Sequence, residues 1–187
     1  MTRLVVDSPE RMADLGSVIA RQLGAGDLVL LNGELGAGKT TLTRAIGETL
    51  GIRGTVTSPT FVLARTHPRL EQSTSPSTPE SGLESTFTRG QAPLVHVDAY
   101  RVGSAVELDD LDIDFEASIV VVEWGAGLLD GVSESWLNVD IVRPTGARGE
   151  NPSDDDFTEE AVEPRTVTVT GFGPKWADLR WLDALSN

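Results

Sequence analysis

The stretch GELGAGKTT, residues 33–41, decides the fold of this chain of 187 residues. It satisfies the pattern G-x-x-x-x-G-K-[ST], whose defined positions are Gly33, Gly38, Lys39 and Thr40. Glycine lets the backbone turn with positive φ and approach a ligand closely, so that successive N–H groups face a bound anion. The spacing therefore predicts a phosphate-binding loop between a strand and a helix.

The segments on either side of the loop supply that strand and that helix. Residues 28–32, LVLLN, form a continuous apolar run that is typical of a strand buried on both faces. Residues 40–50 carry apolar side chains at helical spacing and end before Gly51. The sequence predicts an α/β fold: a single P-loop NTPase domain over residues 1–187, with a central parallel sheet extended by antiparallel strands and flanked by helices.

Further segments predict the rest of the sheet and its helices. Runs of β-branched and alternating apolar residues predict strands at 3–7, 94–98, 118–123, 136–142 and 165–170. The last two of these are expected to be antiparallel strands. Apolar residues at helical spacing predict helices at 9–23, 107–117 and 174–185.

Two polar segments are predicted to be flexible insertions. Residues 67–92 are rich in Ser, Thr and Pro and are expected at the tip of a hairpin between the β-branched stretch 56–66 and the strand at 94–98. The second insertion is expected at 144–164. Within it, residues 150–163 carry seven carboxylates and no basic residue, which is half of the formal net charge of −14.

Composition narrows the class of protein. The chain has no cysteine and only two histidines, so thiolate and multi-histidine metal sites are excluded. Its first residues lack the apolar stretch of a signal peptide, and no apolar run approaches the roughly 18–20 residues of a membrane span. The acidic balance disfavours non-specific binding to nucleic acid. We therefore expect a cytoplasmic protein without membrane contact.

Two acids at predicted strand ends are candidates for catalysis beside the loop. Asp98 follows the apolar run LVHV and Glu123 follows IVVV. In open α/β sheets ligands lie beyond the carboxyl ends of the strands, so both acids are expected near the phosphates. Nucleotide hydrolysis needs acids that hold the metal and orient the attacking oxygen. Lys39, Asp98 and Glu123 are thus predicted to be catalytic, with the division of roles between the two acids left open.

The predicted cofactors are ATP and Mg²⁺. ATP is favoured over GTP because the chain has no N-K-x-D motif for reading guanine. Lys39 is expected to reach the β- and γ-phosphates, and the Thr40 hydroxyl is expected to bind the metal. The predicted nucleotide-binding residues are Glu34, Leu35, Gly36, Ala37, Gly38, Lys39, Thr40 and Thr41. The predicted metal ligands are Thr40, Thr60, Asp98 and Glu123.

Several neighbouring residues admit two interpretations. Thr60, in the SPT segment, fits a switch-like contact to metal or phosphate and also an ordinary turn. Arg101 fits a phosphate contact and a surface ion pair equally. Trp124 fits core packing or a contact near the nucleotide. His96 alternates within its strand and is interpreted as structural.

Further motifs follow the loop in a fixed order. They are VTSPTFVL (56–63), VHVDAYR (95–101), ELDDLDIDF (107–115) and VVVEW (120–124). Over residues 8–125 this order resembles the bacterial TsaE family, the ATPases of tRNA threonylcarbamoyladenosine biosynthesis.

The resemblance implies a function and partners. Such a protein binds ATP and Mg²⁺, hydrolyses ATP weakly alone, and supports repeated turnover of a complex that forms threonylcarbamoyladenosine at adenosine 37 of tRNAs reading codons that start with A. The implied partners are the threonylcarbamoyl transferase subunit and its paralogous subunit, both of a sugar-kinase-like fold, with tRNA bound only indirectly. It also implies phosphate and metal roles for Lys39 and Thr40, a switch-like role for Thr60, and metal or water roles for Asp98 and Glu123. Tyr100 matches a further motif position without an assigned role.

Two other classes remain open on the residues alone. A small-molecule kinase fits the loop and a lid at 67–92, although that segment offers only Arg69 and Arg89 for phosphate contacts. A non-enzymatic interaction module fits if nucleotide binding only sets its conformation.

Overall fold

A mixed β-sheet forms the centre of the computed structural model, which describes residues 1–59, 62–70, 92–129, 131–143 and 163–185. The strands of these residues are β1 (Thr2–Val6), β2 (Leu28–Gly33), β3 (Ala64–His67), β4 (Leu94–Asp98), β5 (Ile119–Glu123), β6 (Trp136–Val142) and β7 (Arg165–Phe172). They lie side by side in the order β1-β7-β6-β2-β5-β4-β3. The strands β6, β2, β5 and β4 are mutually parallel, while β1, β7 and β3 pair antiparallel with their neighbours. The predicted fold class, a parallel centre with antiparallel additions, is confirmed.

Apolar side chains on β2 and β5 explain why these strands are central. Residues 28–31 and 119–122 are all buried, so both strands need cover on both faces. One face packs against α1 (Pro9–Ala20), α2 (Lys39–Leu50) and a 3₁₀ helix (Arg180–Leu185). The other face packs against the short helix α3 (Ala105–Asp109) and the chain that follows it.

The helix α1 begins where the sequence predicts. The Ser8 hydroxyl accepts a hydrogen bond from the N–H of Arg11, and Pro9 occupies the first turn. Residues Met12, Leu15 and Ile19 bury one face of the helix on the sheet. A glycine on this helix brings it close to α2: a methyl group at Gly16 would lie 2.6 Å from Cβ of Ala45.

Strand β6 departs from the expectation of a purely antiparallel pair. It is antiparallel to β7 as predicted, but it also runs parallel to β2. In WLNVDIV, buried residues alternate with partly exposed ones, which is typical of a strand with one face in the core. This pattern does not indicate whether the strand on its other side, β2, runs parallel or antiparallel to it.

The predicted helix at 174–185 is wrong over its first half. Residues 173–176 form a turn, and only Arg180–Leu185 is helical, as 3₁₀. The carbonyl of Trp176 approaches Gly171 so closely that a methyl group there would lie 2.1 Å from it, and Lys175 forms an ion pair with buried Asp27. These tertiary contacts override the helical spacing, which instead reports burial of Trp176, Leu179 and Leu182 in the core.

The predicted helix at 107–117 is likewise shorter and begins earlier, as α3 (Ala105–Asp109). The Ser104 hydroxyl accepts from the N–H of Glu107 at its start. Asp112, at φ 50°, has a left-handed backbone that a continuing helix cannot adopt.

The predicted insertions fall largely outside the described residues. Of the segment 67–92, residues 71–91 lie outside them, while His67 closes β3 and pairs with Leu94. Of the β-branched stretch 56–66, only its last three residues lie in a strand, β3 (Ala64–His67). Residues 144–162 of the second segment lie outside the described ranges as well. Within those ranges, no helix combines the length and the apolarity needed to cross a membrane.

We expect Gly16→Ala to destabilise the protein by about 1–3 kcal/mol, because the added methyl group overpacks the contact with Ala45. A loss of stability would be informative, because replacing glycine by alanine inside a helix otherwise raises the free energy of unfolding, by up to about 1 kcal/mol. Chemical denaturation measures the difference. The control is Asp14→Ala on the exposed face of the same helix. A variant Gly16→Ala as stable as wild type would contradict the close approach of α1 to α2.

Candidate functional site

The carboxyl ends of three parallel strands meet beside the glycine-rich loop. Glu123 ends β5 and pairs in register with Asp98, which ends β4, and with Leu31 of β2. The loop after β2 then turns into α2 (Lys39–Leu50). Together they form a cleft of about 510 Å³ lined by Leu35, Gly36, Gly38, Lys39, Thr40, Thr41, Ser58, Asp98, Tyr100, Glu123 and Trp124. This is the edge of the sheet at which the sequence predicts a ligand.

Two glycines give the loop its path. A methyl group at Gly33 would lie 2.4 Å from the carbonyl oxygen of Ile141 on β6, so only glycine fits there. Gly38 precedes α2 in the left-handed region at φ 114°, and no side chain caps the helix. The first N–H groups of α2 are therefore available to an anion, whose charge the helix dipole also favours.

Lys39 is buried at the floor of the cleft, with 5% of its surface exposed. Its ammonium group donates to the carbonyls of Gly33 (2.8 Å) and Glu34 (3.0 Å) and lies 4.0 Å from the ring centre of Trp124. Burial lowers the pKa of this amine, and the nearby carboxylates of Glu123 and Asp98 oppose that shift. The ammonium group thus sits within the loop, where a phosphate would find a positive charge.

Glu123 connects the start of α2 to the sheet. Its Oε1 accepts a hydrogen bond from the Thr40 hydroxyl at 2.9 Å. The same Oε1 lies 2.9 Å from Nε2 of His96, which is fully buried on β4. The carboxylate is itself only 4% exposed, so it depends on these partners.

Asp98 and Tyr100 form the neighbouring wall. Asp98 is 6% exposed, and its carboxylate accepts from the N–H of Tyr100 at 3.1 Å. The Tyr100 ring is largely exposed and meets Trp124 edge to face, with ring centres 5.5 Å apart. Trp124 itself has φ 64°, a left-handed conformation that costs a bulky residue about 1–3 kcal/mol. This arrangement sets two aromatic side chains against the cleft.

Two arginines contact the loop from the side of β6 and β7. Nε of Arg165 donates to the carbonyl of Ala37 at 3.0 Å. Arg143 forms an ion pair with Glu163 at 3.1 Å, and its guanidinium lies near Gly36, 3.6 Å from where a Cβ would stand. Since Arg165 lies 128 residues from Ala37, and Arg143 is similarly remote from Gly36, no local pattern connects these arginines to the loop.

The structure brings most of the predicted site residues together. Glu34 is exposed on the loop, and Ala37 is fully buried with its N–H donating to the Glu34 carbonyl at 3.1 Å. Leu35 lines the cleft but is 90% exposed. Thr60 lies outside the described residues, although Ser58 of the same SPT segment lines the cleft. Arg101 is exposed on the 3₁₀ turn Ala99–Arg101.

The sequence interpretation of His96 was incomplete, because its contact is with a functional candidate and not only with the core. The available signal was its place two residues before Asp98 on a strand predicted to neighbour that of Glu123. Arg165 and Arg143 were not singled out at all, and their positions depend on strand order.

The donors present fit a nucleotide and a divalent cation. Backbone N–H groups and Lys39 suit phosphate oxygens. Hydroxyl and carboxylate oxygens of Thr40, Asp98 and Glu123 are the hard ligands that Mg²⁺ prefers, with remaining positions left to water and phosphate. Among the described residues, no group of three or more His, Cys, Asp or Glu is arranged to hold a metal ion.

Comparison with known proteins points to a single family. Residues 6–149 match the family model described as "Threonylcarbamoyl adenosine biosynthesis protein TsaE". The chain is 47% identical over 169 residues to the tRNA threonylcarbamoyladenosine biosynthesis protein TsaE of Streptomyces coelicolor, which covers 89% of this chain and 94% of that protein. It is 46% identical over 138 residues to the protein of the same name from Mycobacterium bovis, covering 69% and 71%.

A solved structure, described as Bacillus subtilus YdiB, has the same fold. It superposes with a TM-score of 0.61 at 24% identity, over 99% of this chain and 93% of that one.

We expect Arg165→Gln to weaken nucleotide binding by about 2- to 10-fold, since it removes the guanidinium that holds the Ala37 carbonyl in the loop. Titration with a fluorescent adenine nucleotide measures the dissociation constant. Arg3→Gln, an exposed change of the same charge on β1, is the control. An unchanged affinity in Arg165→Gln would show that the loop keeps its form without this contact.

Proposed function

This chain belongs to the TsaE family of threonylcarbamoyl adenosine biosynthesis proteins, and from that premise we propose that it is an ATP hydrolase of tRNA modification. It acts with partner proteins in forming threonylcarbamoyladenosine at adenosine 37 of tRNAs that read codons starting with A. Binding and hydrolysis of ATP support repeated turnover of the transferase complex. The observation that carries this proposal is the hydrogen bond from Thr40 to Glu123, which joins the phosphate loop to a buried acid.

Binding of ATP is assigned to the loop and the start of α2. Backbone N–H groups of the loop and of the first turn of α2, other than that of Ala37, would face the phosphates, and Lys39 contributes a positive charge. Lys39 donates two of its three N–H bonds to the Gly33 and Glu34 carbonyls, which leaves the third for a phosphate oxygen.

The metal assigned to this site is Mg²⁺, which oxygens of Thr40, Asp98 and Glu123 would hold together with phosphate. When bound, it neutralises charge that develops on the transferred phosphoryl group. The two buried carboxylates lie side by side in register at the ends of β4 and β5, which supports their sharing this task.

Hydrolysis is assigned to Glu123. Its carboxylate accepts a hydrogen bond from a water molecule and turns the water oxygen toward the γ-phosphorus. The new oxygen–phosphorus bond forms as the bond to the β-phosphate oxygen breaks, and the proton of the water passes to the Glu123 carboxylate, giving ADP and inorganic phosphate. Lys39 balances the charge at the cleft floor, 5% exposed and close to both acids.

The partners proposed are the threonylcarbamoyl transferase subunit and its paralogous subunit of sugar-kinase-like fold. The net charge of −14 supports a division of labour in which those subunits, and not this chain, hold the tRNA. A cytoplasmic location follows from the same role.

Replacing Lys39 by alanine is expected to abolish the support of tRNA modification, because the loop loses its charge for the phosphates. The measurement is the threonylcarbamoyladenosine content of tRNA, by nucleoside mass spectrometry, in depleted cells complemented with each variant. Arg21→Ala, which removes an exposed cation on the far end of α1, should restore the nucleoside as wild type does.

Full modification with Lys39→Ala would overturn the proposed mechanism. A nucleoside level unaffected by depletion itself would overturn the function, and a phosphorylated metabolite made from ATP without partners would favour a small-molecule kinase instead.

Replacing Glu123 by glutamine is expected to lower the rate of ATP hydrolysis by about 10²-fold or more while ATP still binds, since the amide cannot act as a base. Phosphate release in the presence of the partner subunits gives the rate, and nucleotide titration gives the affinity. Glu48→Gln, an exposed acid on α2, is the matched control. Hydrolysis that survives in Glu123→Gln would remove this residue from the reaction.

A further inference from the structure

His96, one of the two buried histidines of the sheet, lies next to Glu123, the proposed catalytic carboxylate. His96 is fully buried on β4, one strand over from Glu123, and its Nε2 lies 2.9 Å from Oε1 of that residue. The residues that line the cleft include Asp98 and Glu123 but not His96. The imidazole therefore acts on whatever occupies the cleft only through Glu123.

The hydrogen-bond pattern identifies the donor in this pair. An ionised carboxylate only accepts, so Nε2 of His96 carries the hydrogen and donates to Oε1. The other ring nitrogen, Nδ1, is buried and has no hydrogen-bond partner in the part of the chain that the structure describes.

Two donors to Glu123 converge on one oxygen atom. Thr40 and His96 each donate to Oε1, at 2.9 Å in both cases. Thr40 lines the cleft, whereas His96 is not among the lining residues and can keep its bond to Oε1 when the cleft is filled. That bond holds the orientation of the carboxylate.

We propose that His96 is a positioning residue for ATP hydrolysis, which orients Glu123 through the Nε2–Oε1 hydrogen bond. This inference rests on the proposed function, because it assigns a task in the reaction that Glu123 is proposed to carry out. It specifies that His96 affects the rate of hydrolysis and leaves nucleotide affinity unchanged. It also specifies that His96 has no effect once Glu123 has lost its carboxylate.

The test compares four variants of the full chain. His96→Leu removes the donor, and His96→Gln keeps an N–H near the place of Nε2. Glu123→Gln and the double variant of Glu123→Gln with His96→Leu complete a double-mutant cycle. His67→Leu is the matched control, because His67 is the other histidine, is also buried, and lies on the adjacent strand β3.

Each variant is measured for kcat of ATP hydrolysis with the partner subunits, for the Kd of a fluorescent adenine nucleotide, and for Tm. We expect His96→Leu to lower kcat by about 10- to 100-fold, the worth of a hydrogen bond to a charged group, with an unchanged Kd. His96→Gln should recover most of that loss, and His96→Leu should cost nothing further in the Glu123→Gln background. His67→Leu should keep the wild-type kcat.

Four results would overturn the inference. They are a wild-type kcat in His96→Leu, a parallel loss of kcat and nucleotide affinity, a His96→Gln variant as slow as His96→Leu, and an added loss in the double variant. If His96→Leu melts below the assay temperature, His96→Met takes its place with the same expectations. A wild-type chain that hydrolyses no ATP with its partners would overturn the proposed function and this inference together, whereas the four results above leave the function standing.

Discussion

The buried carboxylate of Glu123 is the constraint on which the rest of the site depends. A carboxylate that is 4% exposed is costly unless donors compensate the lost water. The donors come from the two elements that need to be held together, Thr40 at the start of α2 and His96 on β4. The Glu123 carboxylate thus connects three parts of the cleft by hydrogen bonds: the start of α2 after the glycine-rich loop, the strand β5 and the neighbouring strand β4.

Close backbone approaches give this cleft its rigidity. Gly33 lies against the Ile141 carbonyl of β6, and Gly16 brings α1 against α2 at Ala45. Both contacts exclude a side chain, so the loop lies directly against β6 and α2 lies directly against α1. Trp124, directly after Glu123, has a left-handed backbone, and its indole lies 4.0 Å from the Lys39 ammonium. Under the proposed function, close packing of the loop favours phosphate binding, because its N–H groups would need little rearrangement.

Local chemistry explains what the sequence alone could predict. The loop pattern, the apolar runs of β2 and β5, and the cap at Ser8 depend on residues close in sequence, and each agrees with the structure. Asp98 and Glu123 could be placed near the loop because strands of one parallel set end at one edge.

Contacts between distant segments explain what the sequence could not predict. The hydrogen bond from Arg165 to the Ala37 carbonyl joins residues 128 positions apart. It forms only because β7, β6 and β2 lie side by side in that order in the sheet. The parallel pairing of β6 with β2 has no signature in an alternating strand. The turn at 173–176 replaces a helix because Trp176 packs onto Gly171, a contact that helical spacing does not report.

The central claim is that ATP hydrolysis in this cleft drives repeated rounds of tRNA modification. The most direct measurement counts threonylcarbamoyladenosine formed per transferase complex in a reconstituted reaction that contains this chain and a supplied threonylcarbamoyl donor. One reaction receives Mg²⁺ and ATP, and the other receives a non-hydrolysable ATP analogue. The account predicts many nucleosides per complex with ATP and about one or fewer with the analogue. Equal, repeated turnover in both reactions would contradict it, because binding of the nucleotide would then suffice.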